Sequence, residues 1–257
     1  MTHPSPAKSQ APLPAVAGVL FDLFGTVIHF APQVPTVQVA GNPWRSTMGW
    51  LRDAAAHELP QVPFDDLLAA LMQVTEELVR QRPPEYLEVP SRERFRRALV
   101  RCGSDDERTP AIAQRLSLAH MGHLASRTML PPGHAAVLQA LAARHRLGLV
   151  SNFDHAPTAR RVLTEHGVAP FFEVILISDE FGRRKPHPAI FEAALRDLKV
   201  RADQAVFVGD SISDDVAGAH NAQLRVAWFN PEGEPLPAGA PAPQLVIREL
   251  RDLVELL

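Results

Sequence analysis

The sequence predicts an α/β protein, a doubly wound parallel sheet interrupted after its first strand by an all-helical insertion. Three observations carry that expectation. Short apolar runs of strand length alternate with helix-period segments through the second half of the chain. One isolated run of the same kind stands near the start, at residues 16–23 (VAGVLFDL). Between the two lies a long stretch of helical periodicity without a strand-like run.

Taken in order, residues 1–15 begin MTHPSPAKSQAPLP, rich in proline and serine and without an apolar signal core, so a disordered tail is expected. Residues 16–23 are mostly apolar and carry an acid at the end, as a strand buried on both faces would. Helices are expected over residues 44–58, 64–82, 92–101 and 111–127, with breaks at residues 60–63, at Pro83-Pro84 and at residues 104–109. Pro131-Pro132-Gly133 marks the return to the sheet. Strands then fall at residues 147–151, 174–178, 205–210 and 224–229, with helices over 156–166, 188–198 and 214–222 between them. A sixth run, at residues 244–247, reads as an edge strand before a final helix to residue 257. The expected organisation is therefore a core of residues 16–35 and 129–257 and an inserted helical domain of residues 36–128.

Composition narrows the function. With 257 residues, 46% hydrophobic and 21% charged, the chain can bury one large core or two modest ones. A formal net charge of -3 gives no basic footprint for nucleic acid, and the apolar runs are too short to span a bilayer. The single cysteine, Cys102, excludes an internal disulfide and fits a reducing compartment. A cytoplasmic protein is expected, a monomer or homodimer acting on a small molecule, with no nucleic-acid or membrane partner.

In open α/β sheets the site forms beyond the carboxyl ends of the strands. There the chain places Asp22-Leu23-Phe24-Gly25-Thr26, then Ser151-Asn152, then Arg183-Arg184-Lys185-Pro186, then Gly209-Asp210-Ser211-Ile212-Ser213-Asp214-Asp215. One rim thus collects a nucleophile, a hydroxyl donor, a cation and an acid cluster.

These clusters, in this order, resemble the four signature motifs of the haloacid dehalogenase-like (HAD) superfamily, which has a Rossmann-like core. The branch resembled is the one whose helical cap is inserted after the first motif, and the likeness runs from residue 16 onward. The resemblance implies that Asp22 is a carboxylate nucleophile forming a covalent aspartyl intermediate. Lys185 would neutralise Asp22 and the substrate, and Thr26 and Ser151 would donate hydrogen bonds to the transferred group. Phe24, Gly25, Asn152 and the cap residue Arg45 would lie against the substrate. Asp22, Asp210, Asp215 and the main-chain carbonyl of Phe24 would hold Mg2+ through hard oxygen ligands, with Asp214 the competing acid. Three carboxylates against one lysine leave a surplus of negative charge that calls for a cation.

The sequence departs from that pattern at one important position. Phosphatases of the superfamily carry a second aspartate two residues after the nucleophile as general acid and base, and here that residue is Phe24. Phe24-Gly25-Thr26 resembles instead the 2-haloacid dehalogenases, which expel a halide without an acid and hold it with a cap arginine, a role Arg45 could fill. The acid cluster at Asp210 resembles the metal-dependent phosphatases. The expected activity is Mg2+-dependent hydrolysis of a small phosphorylated metabolite. The alternatives are carbon–halogen hydrolysis and a homologue with little or no turnover. Gln223 stands where the superfamily usually turns at a glycine. His120 and His123 share a helical face without a third ligand, so no zinc is expected.

Overall fold

The chain, a computed structural model, is described over residues 11–257 except 32, 40 and 41. Strand β1 (Gly18–Phe21) is followed by β2 (His29–Phe30) and by a hairpin of β3 (Thr36–Val39) and β4 (Asn42–Arg45). Helices α1 (Arg52–Glu58), α2 (Phe64–Gln81), α3 (Ser91–Arg101) and α4 (Thr109–Ser126) come next, closed by the short strand β5 (Thr128–Met129). The remainder alternates: α5 (His134–Ala142), β6 (Arg146–Ser151), α6 (Ala156–Glu165), β7 (Val174–Ile177), α7 (Ser178–Phe181), α8 (Pro188–Leu198), β8 (Ala205–Gly209), α9 (Ala217–Asn221), β9 (Arg225–Phe229), β10 (Leu245–Ile247) and α10 (Leu253–Leu256).

The main sheet has the order β10-β9-β8-β1-β6-β7 and every pairing in it is parallel. From β1 the chain builds outward through β6 and β7, then returns to the other side of β1 with β8 and continues to β9 and β10. The order therefore reverses at β1, and a crevice opens at the carboxyl ends of the strands there. Alternate residues of β1 serve opposite faces. Val19 and Phe21 pack with Leu138 of α5 and Val162 of α6, while Leu20 packs with Phe191 of α8 and Ala219 of α9.

Residues 47–126 build a separate apolar cluster, centred on Leu67 and Leu71 of α2, Phe95 and Leu99 of α3 and Leu116 of α4. The antiparallel pair β2–β5, His29 opposite Met129, ties the two ends of this segment together beside the sheet. The connector after α2 lies against the core loop that carries Lys185. Leu87 bridges Arg183, the Glu88 N–H donates to the Gly182 carbonyl at 3.0 Å, and the Arg184 N–H donates to the Tyr86 carbonyl at 2.9 Å.

Two features differ from the sequence reading. The inserted segment opens on the β3–β4 hairpin and a 3-10 turn, Thr47–Leu51, so the expected helix over residues 44–58 shortens to α1. Pro43 has no N–H for a helix, Thr36-Val37-Gln38-Val39 alternates as a strand with Val37 buried, and Ser46 caps the turn through the Met48 N–H at 3.2 Å. The expected tail of residues 1–15 falls largely outside the described residues. Of the part described, the Leu13 N–H donates to the Leu256 carbonyl at 2.9 Å and Arg225 donates to the Pro14 carbonyl at 2.6 Å. No helix among the described residues is long and apolar enough to cross a membrane.

Candidate active site

The four residues of β1 are buried and the ladder runs one residue further, the Asp22 N–H donating to the Val208 carbonyl at 2.9 Å. The Asp22 carboxyl is thereby fixed at the strand end, in the wall of a cavity of about 160 Å³. Phe24, Ser151, Asn152, Arg184, Lys185, Asp210, Ser211, Asp214 and Asp215 also line it. Arg45, exposed at the end of β4, is not among the lining residues.

Lys185 is 1% exposed. Its ammonium donates to Asp22 Oδ1 at 2.5 Å and to the Val150 carbonyl at 2.8 Å, and sits 5.1 Å from the Phe207 ring centroid. It also pairs with Asp215 Oδ1 at 2.7 Å. Burial pulls the Lys185 ammonium down, but Asp215 and Asp22 outweigh it and hold it above its ordinary value. Burial pushes the Asp22 carboxyl up, to about 7, against the pull of Lys185 and with repulsion from Asp215 and Asp210 added. The nucleophile candidate therefore sits in a cluster of three carboxylates with one ammonium, two positive charges short of balance when all three are ionised.

Asp22, Asp210 and Asp215 bring carboxylate oxygens within 4.8 Å of one another, Asp22 and Asp215 buried and Asp210 open to the cleft. Glycines permit this crowding. A Cβ at Gly25, where φ is +100°, would meet Asp210 Oδ2 at 2.6 Å, and one at Gly209 would meet Asp215 at 2.4 Å. After β8 the chain makes a π-helical turn, Ile212–Val216, which turns Asp215 inward and leaves Asp214 half-buried at the rim. The Ser211 N–H donates to Asp215 Oδ2 at 3.0 Å, while Oδ1 faces the Lys185 ammonium. Three carboxylates with oxygens within 4.8 Å of one another, set against a single ammonium, offer the hard oxygen donors that fit a small divalent cation.

Three residues expected against the substrate or the transferred group have hydrogen-bond partners within the protein. Thr26 is fully buried, and its hydroxyl donates to Asp210 Oδ1 at 3.1 Å, so it positions an acid instead of facing the cleft. Asn152 lines the cavity, but its amide is spent. Oδ1 accepts from the Lys185 N–H at 2.8 Å, and Nδ2 donates to the Lys185 carbonyl at 3.0 Å and to Asp214 Oδ2 at 3.2 Å. The Gly25 N–H donates to the Ile28 carbonyl at 2.9 Å, closing the loop after Asp22. Ser151, 1% exposed, lines the cavity beside Asp22.

Phe24 is one of three rings in contact. It stacks on Phe30 (centroids 4.8 Å apart) and tilts against Phe153 (4.7 Å). Phe153 joins the site unforeseen, and Arg184, beside Lys185 at the rim, carries no role in the sequence reading. Their only sequence signal is adjacency to Asn152 and Lys185, and nothing in the chain marks Phe30.

A family model described as haloacid dehalogenase-like hydrolase matches residues 16–223. The glyceraldehyde 3-phosphate phosphatase of Pyrococcus abyssi is 32% identical over 100 residues, 39% of this chain and 42% of that protein. The phosphoserine phosphatase of Thermus thermophilus is 33% identical over 165 residues, 64% of each chain. Both matches thus span less than two thirds of the relative's length. Among solved structures, a 2-haloacid dehalogenase from Pseudomonas syringae pv. Tomato DC3000 superposes with a TM-score of 0.73 at 28% identity, covering 94% of this chain and 97% of that one.

Proposed function

The chain belongs to the haloacid dehalogenase-like hydrolases, and from that membership we propose that it hydrolyses a small phosphomonoester, with Asp22 as nucleophile and Mg2+ at the acid cluster. The observation that carries the reading is the cluster of Asp22, Asp210 and Asp215 within 4.8 Å around one ammonium. A phosphate dianion could not approach such a cluster without a further cation, whereas the same cluster with its cation attracts it. The relatives named as phosphatases of glyceraldehyde 3-phosphate and phosphoserine support the same chemistry.

An ionised Asp22 oxygen attacks phosphorus in line, the bond from phosphorus to the ester oxygen breaks, and an aspartyl phosphate forms. Lys185 favours the ionised form of Asp22, and Ser151 offers its hydroxyl to a phosphate oxygen. The departing oxygen takes its proton from water, because Phe24 has none to give. Water then cleaves the aspartyl phosphate at phosphorus and restores Asp22. A bound Mg2+, held by Asp22, Asp210, Asp215 and the Phe24 carbonyl, would offset the charge of the phosphate. Residues 36–128 act as the cap that closes the cleft, and Arg45 reaches substrate only if that cap moves. The one cysteine and the small-metabolite chemistry suit the cytoplasm.

Phe24 favours a second reading, hydrolysis of a carbon–halogen bond, since a halide departs unprotonated. One experiment separates the two. Phosphate release from a panel of phosphomonoesters and halide release from 2-haloacids are followed with EDTA and after Mg2+ is restored. Mg2+-dependent phosphate release is expected, falling to background in Asp22→Asn protein with an unchanged melting temperature. Phosphate release surviving Asp22→Asn would end the covalent scheme, and halide release indifferent to EDTA would install the second reading.

A further inference from the structure

Beside the catalytic cavity lies a smaller chamber of about 40 Å³, between the inserted segment and the core. Arg184 forms part of the wall of both. Five charged side chains line the chamber: Arg82, Glu88 and Arg94 from the inserted segment, and Asp154 and Arg184 from core loops. Most of that charge is matched internally. Arg94 pairs with Asp154 at 3.0 Å, and Arg184 with Glu88 at 3.1 Å. Glu88 also accepts the Ser178 hydroxyl at 2.5 Å, and the Thr75 hydroxyl in the wall is spent on the Leu71 carbonyl at 2.7 Å.

Arg82 is the charge left over. It is half-buried at the C-terminal end of α2, and no carboxylate among the described residues lies within ion-pair distance of it. Glu88, Asp214 and Asp154 act on it only from further away, while burial and the like charge of Arg184 pull its guanidinium below the ordinary value. A guanidinium partly withdrawn from water without a partner is costly, and the cost is relieved when an anion arrives.

We propose that Arg82 is a specificity-determining residue that binds a carboxylate on the organic part of the substrate, an inference that rests on the phosphomonoesterase reading above. Arg184, common to both walls, puts the chamber directly beside the cavity that holds Asp22. The planar fork of a guanidinium matches two carboxylate oxygens. A volume of about 40 Å³ has room for a group the size of a few water molecules and not for a ring. The substrate class is thus a short-chain phosphomonoester bearing a carboxylate.

The test uses matched probes, 3-phosphoglycerate against glycerol 3-phosphate and phosphoglycolate against ethyl phosphate, which differ in the carboxylate. Wild-type protein is expected to favour the carboxylate member of each pair in kcat/KM. Arg82→Ala should lower that preference about 10- to 100-fold, the range of a charge-assisted hydrogen-bonded pair. The loss should appear in KM, and Arg82→Lys should restore part of it. Titration calorimetry of Asp22→Asn protein, with and without Arg82→Ala, reads the same preference as binding. If p-nitrophenyl phosphate is hydrolysed but the carboxylate preference ignores Arg82, the subsite is overturned and the hydrolase reading stands. If no ester turns over but 3-phosphoglycerate binds in an Arg82-dependent way, the hydrolase reading fails and the subsite stands. Absence of both Arg82-dependent binding and Arg82-dependent turnover overturns the subsite.

Discussion

Phe24 sits between Phe30 and Phe153 at a position where related phosphatases place the aspartate that protonates the leaving group. A carboxyl there can lend a proton to the ester oxygen, and general acid catalysis contributes about 100- to 10,000-fold. Phe24→Asp is therefore expected to raise turnover of unactivated phosphate esters by about 100-fold, near the low end of that range, because the surrounding rings do not orient a carboxyl. The wild type should lean toward p-nitrophenyl phosphate, whose leaving group needs little protonation, and the variant should lean less. Each lost ring contact costs about 0.5–1.5 kcal/mol, so a lower melting temperature accompanies the gain. A folded Phe24→Asp protein with no gain on alkyl phosphates would show that proton transfer does not limit this site. Legibility at this scale follows strand ends. Asp22 and Asp210 could be picked out because each ends an apolar run, whereas Lys185, beyond α7, and Asp215, in the turn after β8, were marked by the resemblance to the family's motifs. The partners of Thr26 and Asn152 could not, since a hydroxyl or an amide takes whichever group folding brings near, here 184 and 33 residues away. Arg82 was invisible for a related reason, because being unpaired is a property of the surroundings.

Among the helices, α4 carries a buried imidazole. His120 is 2% exposed, lies 3.0 Å from the Thr47 hydroxyl and faces the Phe95 ring at 6.1 Å. Burial, with Arg94 and His123 adding repulsion, pushes it down from 6.5 to about 3. The folded protein thus keeps it neutral where the unfolded chain takes a proton. Between pH 6.5 and 3 the unfolded state binds more protons, so stability falls as pH falls, by up to about 1.4 kcal/mol per pH unit from this one group. His120→Gln, which keeps an acceptor for Thr47, should flatten that slope, as urea denaturation at pH 7.5 and about 5 would reveal. An unchanged slope would place the acid sensitivity elsewhere. After α9 the chain turns at Gln223 with φ +61°, a conformation that glycine adopts freely and glutamine does not. Gln223→Gly should stabilise the protein by about 0.5–1 kcal/mol without touching activity, and a fall in melting temperature would refute it. The strands of the main sheet and the helices α2, α3 and α4 were legible within a residue or two because long periodic runs identify themselves. The β3–β4 hairpin was not, since TVQV and NPWR form no continuous apolar run of the kind that marks the main-sheet strands.

For the molecule as a whole, β1 is the hinge of the topology. It is the strand at which the sheet reverses, and it carries Asp22 at its end. Its neighbours come late, Gly18 lying opposite both Arg146 and Ala205, each more than a hundred residues on. Closing so long a loop costs entropy before any contact rewards it, about 0.6 kcal/mol for each doubling of length. The inserted helices need no such wait, because Leu67, Phe95 and Leu116 find one another within their own segment. Once they do, the β2–β5 pair draws residues 30 and 128 together, and the loop left to close is short. Pulsed amide exchange during refolding should therefore show α3 and α4 protected before β1, and simultaneous protection would mean the whole chain condenses at once. The strand in the middle of the sheet is then the first to be synthesised and the last to be enclosed. On that folding order Asp22 gains the Lys185 ammonium only when β1 is paired on both sides, so the proposed chemistry would wait for the finished sheet.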